Sequence, residues 1–289
     1  MLSGARLSGC HEYAGAADLN AESVRRPRTS AAAFLLATFA WSVTFWILTV
    51  VLGGIRQFPG SLLQYVGGAG PIVAALLLIH LFEDRAAQKD FWVRTFDVRR
   101  MPWRWLVASL LLHPAIILVA AATELVLGGE VPIRLASDAG FVAIASLVFF
   151  VFVLGPLPEE MGWRGVALDR LQQRMNPLNA SLLLGVAWSA WHLPLFLIDG
   201  TFQHQLGIGS FRFWVFMLDM IPLTIIITWI YNHTDRSTLS AVFVHFSGNM
   251  CGALLTKSDR LAGLELVVLT LVAVIIVSRS GPALGFKLR

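Results

Sequence analysis

The chain has 289 residues, of which 56% are hydrophobic and only 14% charged, with a mean hydropathy of +0.70 and a formal net charge of +4. Soluble domains carry about 25% charged residues, so these values exclude a soluble globular protein and define an integral membrane one. The modest positive charge gives no footprint for nucleic acid. The two cysteines, Cys10 in a polar tail and Cys251 in an apolar run, argue against a disulfide framework or a cysteine zinc site.

Apolar stretches near twenty residues, the length that spans a bilayer as helix, recur along the chain. Their continuous character predicts an all-α polytopic membrane protein rather than a barrel of alternating strands. Residues 1–30 read as a disordered cytosolic tail. Residues 31–52 follow Arg25, Arg26 and Arg28 but are too long for a signal-peptide core, so they read as an uncleaved first span. Further spans are expected at 62–82, 103–127, 141–154 with its continuation, 178–198, 211–231, 239–256 and 261–277, about eight in all. Within them, 31–135 form an N-terminal set of helices and 136–280 a second helical domain, with 281–289 as a second cytosolic tail. Eight spans put both termini on one side, together with 17 of the 22 Lys and Arg; Arg56, Arg134, Arg212, Lys257 and Arg260 remain on the other. The positive-inside rule then places both termini in the cytosol, and the expected location is a bacterial-type plasma membrane. Trp92, Trp103 and Trp105, in the charged loop after the second span, read as interfacial anchors.

One stretch interrupts the pattern: Gly155-Pro156-Leu157-Pro158-Glu159-Glu160-Met161-Gly162-Trp163-Arg164. Two prolines are expected to break a solidly apolar helix, and adjacent carboxylates to open the next. Pro158 suits the first helical position, which would put Glu159 and Glu160 in the first turn, where the helix dipole favours negative charge. Glu160 and Arg164, four apart, share a face. Ionisable groups at membrane depth are costly and mark function.

The helix after the carboxylates runs to a turn at Met175-Asn176-Pro177, and position 176 is the midpoint of 160 and 192. In an antiparallel hairpin His192 therefore stands level with Glu159 and Glu160, each about 24 Å from the turn at 1.5 Å per residue. Trp188, one turn before His192, is placed to pack on the imidazole or wall a substrate pocket. Pro194 deprives the Ala190 carbonyl of its helical partner, which predicts a kink there. Farther on, His245 and Asn249 lie one turn apart, and a neutral histidine and an asparagine can both donate toward a common point. Taken singly, each of these has a structural reading: a membrane histidine as an interhelical hydrogen-bonding partner, Glu160–Arg164 as an ion pair, Asn249 as packing glue. Together, on three helices, they point to a polar active site. His80, His113, Glu124 and Asp219 stay with the structural reading, and Asp219 is expected to pair with a histidine or stay protonated.

Glu159-Glu160-x-x-x-Arg164, Trp188-x-x-x-His192 and His245-x-x-x-Asn249, in that order, resemble the three motifs of the CPBP family, the CAAX prenyl endopeptidases and bacteriocin-processing or immunity (Abi) proteins. The similarity covers roughly residues 140 to 255. The chain departs from the family pattern at Trp188, where phenylalanine is usual. The resemblance implies an intramembrane endopeptidase with an eight-helix fold, acting on a peptide or protein substrate at the lipid bilayer. It implies that Glu159 with His192 deprotonates a water, that His245 and Asn249 stabilise the oxyanion, and that Glu160 orients Arg164.

Other readings stand beside it. Glu159, His192 and His245 could form a two-histidine, one-carboxylate zinc site, although there is no His-Glu-x-x-His and His11-Glu12 is followed by Gly15 where the second histidine would stand. The metal-free version, with no cofactor, is favoured. A transporter could use the same groups as an ion path, but no interrupted helix recurs in the other half of the chain. A non-catalytic interaction or immunity protein would share the fold without needing turnover.

Overall fold

The computed structural model describes residues 28–130, 134–135 and 140–286. Most of the expected N-terminal tail, with Cys10, and residues 287–289 lie outside them. The helices are α1 (Ala31–Val51), α2 (Gly60–Gly68), α3 (Gly70–Phe82), α4 (Arg85–Phe96), α5 (Trp103–Val126), α6 (Phe141–Leu154), α7 (Pro156–Gly162), α8 (Asp169–Gln172), α9 (Pro177–His192), α10 (Phe202–Leu206), α11 (Phe211–His233), α12 (Thr238–Leu254) and α13 (Asp259–Ser280). Among the described residues the one strand pair is a two-residue antiparallel bridge, Arg134–Leu135 with Leu255–Thr256. The protein is an all-α polytopic membrane protein.

Among the described residues six segments are long and apolar enough to cross a membrane: Ala31–Val51, Trp103–Val126, Val142–Gln172, Pro177–Leu197, Phe211–His233 and Asp259–Ser280. The expected second span is bent by 48° between α2 and α3 and makes a seventh if counted as one. The remaining expected span is α12, whose 17 residues sit at the lower limit for crossing a bilayer. It is largely buried, with His245 and Ser247 covered on opposite sides, so it is shielded by neighbouring helices rather than by lipid.

Close approaches at glycine set the packing that positions the site. A side chain at Gly162 would fall 2.6 Å from the Pro71 carbonyl oxygen, so α7 and α3 meet backbone to backbone. At Gly185 the neighbour is the Ile221 backbone at 3.0 Å, which draws α9 onto α11. At Gly248 it is the His113 ring at 2.8 Å, which joins α12 to α5. Pro114 lies inside α5 and removes the partner of the Leu110 carbonyl; the Ser247 hydroxyl donates to that carbonyl at 2.8 Å.

Candidate active site

The carboxylates stand where α6 gives way to α7. The break is at Gly155, whose φ of −120° and ψ of −93° are not helical. Pro156, not Pro158, takes the first helical position, because a proline disfavours the helical conformation in the residue before it. Glu159 therefore closes the first turn, and Glu160 lies just beyond it. The segment Val142–Gln172 still runs on as one span, so the prolines mark a local break rather than the end of the helix. After Gly162 the backbone widens into a π-turn over Trp163–Leu168, a form found mostly as short bulges at functional sites. Nothing in the residue pattern announced it. The Gly165 carbonyl inside it accepts from Arg94 Nη2 at 3.1 Å, and Arg94 Nη1 donates to the Tyr231 hydroxyl at 2.8 Å.

The turn after α8 forms as the spacing predicts. Asn176 caps α9, its side chain accepting from the Asn179 amide at 2.9 Å, and Pro177 opens the helix. The hairpin brings α9 back beside the carboxylates, and the indole N–H of Trp188 donates to Glu159 Oε2 at 3.0 Å. Among the described residues the hydrogen bond of the Glu159 carboxylate is this one, on Oε2, and none falls on Oε1. His192 donates from Nδ1 to the Trp188 carbonyl at 2.9 Å, because a carbonyl only accepts; Nε2 of the neutral ring is therefore an acceptor. Its ring packs edge-on against Trp191 and Phe216. In place of the kink expected at Pro194, α9 ends at His192 and tightens into a 3-10 turn, with the Leu193 amide taking the orphaned Ala190 carbonyl.

Glu160 and Arg164 are fully buried. Arg164 Nη1 lies 2.9 Å from both Glu160 oxygens, and His245 Nδ1 donates to Glu160 Oε1 at 2.9 Å. Arg164 Nη2 donates to the Thr224 hydroxyl on α11 at 3.3 Å, and its guanidinium carbon sits 4.8 Å above the Trp188 ring. Thr224 is a contributor that sequence reasoning missed, since threonines are unremarkable in membrane helices. Asn249, exposed on α12, points to Gly155: a side chain there would stand 3.4 Å from Asn249 Nδ2.

The structure thus gathers Glu159, Glu160, Arg164, Trp188 and His245 into one contact network, with His192 against Trp188 and Asn249 at the helix break. Three expectations narrow. Trp188 is only 1% exposed, and of its two expected roles the geometry shows the packing one, against the His192 and His245 rings. A neutral His245 that donates from Nδ1 to Glu160 has no second proton, so donation alongside Asn249 requires the imidazolium. Asp219 makes no hydrogen bond or ion pair with a histidine among the described residues, which leaves the other expectation, that it stays protonated. Of the residues left to structure, His80 lies tilted beside Trp92, Glu124 pairs with Arg260 at 3.0 Å and His113 packs on Gly248. Among the described residues no three His, Cys, Asp or Glu side chains are grouped as metal ligands are, the set Glu159, His192 and His245 included.

Fold and motifs together resemble an intramembrane peptidase of the CPBP type, and two comparisons with known proteins support the resemblance. Residues 141–251 match the family model described as type II CAAX prenyl endopeptidase Rce1-like. The CAAX prenyl protease 2 of Methanococcus maripaludis is 29% identical over 248 residues, which are 84% of this chain and 92% of that protein. The matched segment contains all three motifs, and the resemblance drawn from them holds.

Proposed function

We propose that this peptidase hydrolyses a peptide bond in a membrane-associated, CAAX-like or lipidated substrate reached from the cytosolic side, by attack of a water that Glu159 and His192 activate. The observation that carries the reading is the state of the two acceptors: Glu159 has one oxygen tied to Trp188 and one that takes no hydrogen bond among the described residues, and His192 has Nε2 as an acceptor. One water can donate to both. As its oxygen attacks the carbonyl carbon, its proton passes to Glu159, which then delivers it to the leaving amine. Asn249 Nδ2 and His245 Nε2–H stabilise the oxyanion, a role worth about 10²–10³ in rate per donor. His245 donates there as the imidazolium, with Glu160 as its counter-ion, and Arg164 holds Glu160 in place. The name of the Methanococcus maripaludis relative supports the CAAX-like substrate. In this reading residues 136–280 hold the chemistry, and the charge bias of the loops puts both termini in the cytosol of a bacterial-type plasma membrane.

The test is cleavage by purified protein in detergent, wild type against Glu159→Gln, across prenylated and unprenylated peptides. Cleavage by the wild type alone, with folding intact in both, is the expected result. Equal cleavage by both would remove Glu159 from the mechanism.

A further inference from the structure

We propose that Trp188 is a positioning residue for Glu159: its indole N–H holds Oε2 and so presents Oε1 to the water. The inference rests on the reading of Glu159 as the base. An indole nitrogen donates and cannot accept, so the 3.0 Å contact with Oε2 has one possible polarity. A carboxylate at membrane depth with neither oxygen bonded to the protein would turn freely about its last side-chain torsion, which is broad. Here one oxygen is spent and the other is left.

The donor is itself held on several sides. The Trp188 ring lies under the Arg164 guanidinium at 4.8 Å and meets the His245 ring edge-on at 5.0 Å. One side chain of α9 therefore touches the carboxylate of α7, the cation of the π-turn and the imidazole of α12. At 1% exposure it has no surface left for a substrate. Phenylalanine, usual in the family motif, would keep the ring contacts and lose the donor. What distinguishes this chain at position 188 is thus the N–H, and the N–H is what meets Glu159.

The test uses a peptide that the wild type cleaves and compares Trp188→Phe with replacement of Trp188 by 3-benzothienylalanine, which keeps the bicyclic shape and has sulfur in place of N–H. Both are expected to lower kcat about 10–100-fold, the range for a hydrogen bond to a charged group, with KM within about twofold and the thermal midpoint unchanged. The benzothienyl variant decides the matter if the phenylalanine variant is poorly folded. Wild-type kcat in the shape-matched variant would overturn the proposal, and so would a raised KM at unchanged kcat, which would make Trp188 a pocket wall. Glu159→Gln in the same assay separates the two readings: if it is inactive while the benzothienyl variant is fully active, only the Trp188 proposal fails. If no peptide is cleaved, the Trp188 indole N–H resonance, assigned by its loss in Trp188→Phe, reports the bond directly. It is expected to move in Glu159→Ala, and an unmoved resonance overturns the proposal.

Discussion

Glu160 is the polar partner of two other residues of the site. It neutralises a fully buried Arg164 and accepts from His245, so one carboxylate joins α7, the π-turn and α12. Breaking a buried pair by removing one charge leaves the other uncompensated and costs about 3–5 kcal/mol. Glu160→Gln is therefore expected to lower the thermal midpoint in detergent as well as activity. Glu159→Gln, which keeps an acceptor for the Trp188 indole, should abolish activity at little cost in stability. Comparing the two midpoints checks this, and equal losses would mean that the two carboxylates do not divide the work. The i, i+4 relation of Glu160 and Arg164 was legible from spacing. The bond to His245, 85 positions away, was not, because spacing says nothing about which faces of α7 and α12 meet.

The site is held at the scale of elements by α7, which is short, begins at a glycine break and ends in a π-turn. Its position depends on contact with α3 at Gly162, where an added methyl would strike the Pro71 backbone. Overpacking of this kind costs about 1–3 kcal/mol. Gly162→Ala is expected to lower the thermal midpoint and the cleavage rate together, whereas Gly68→Ala, with nothing within 4 Å of the new methyl, should leave both unchanged. A neutral Gly162→Ala would show that α3 does not set the position of α7. The break itself was foreseen two residues late. The prolines were visible, but the non-helical conformation falls on the residue before the first of them.

Across the whole molecule, the start of α1 is tied to α8 by a polar cluster at Glu83. Glu83 accepts from the Arg28 and Thr29 amides and the Thr29 hydroxyl, and pairs with Arg170 at 3.0 Å. Burial opposes ionisation of Glu83, but these hydrogen bonds and Arg170 outweigh it and hold the carboxyl below its ordinary value of 4.5. A depressed carboxyl contributes stability that is fully present above the unfolded-state value and is lost as pH falls through the folded-state one. The thermal midpoint should thus be insensitive to this group near neutrality and decline below about pH 4.5. In Glu83→Gln the decline should be shallower and the midpoint near neutrality lower. Parallel pH curves for the two proteins would exclude Glu83 from the linkage.

The sequence by itself determined what depends on composition and local spacing: membrane residence, helical class, the break near residue 155, the hairpin about Asn176 and the ordered motifs. These are properties of a stretch and of the solvent it meets, so twenty apolar residues or a proline reveal them without a partner. The tertiary structure alone decided which groups meet. It set Trp188 on Glu159 and His245 on Glu160, left Asp219 out of the cluster, and wrapped α12 in other helices at a length barely enough to span. Those outcomes depend on helix rotation and close backbone approach. A one-position rotation on a 3.6-residue helix turns a side chain by about 100°, enough to exchange a catalytic contact for a lipid one.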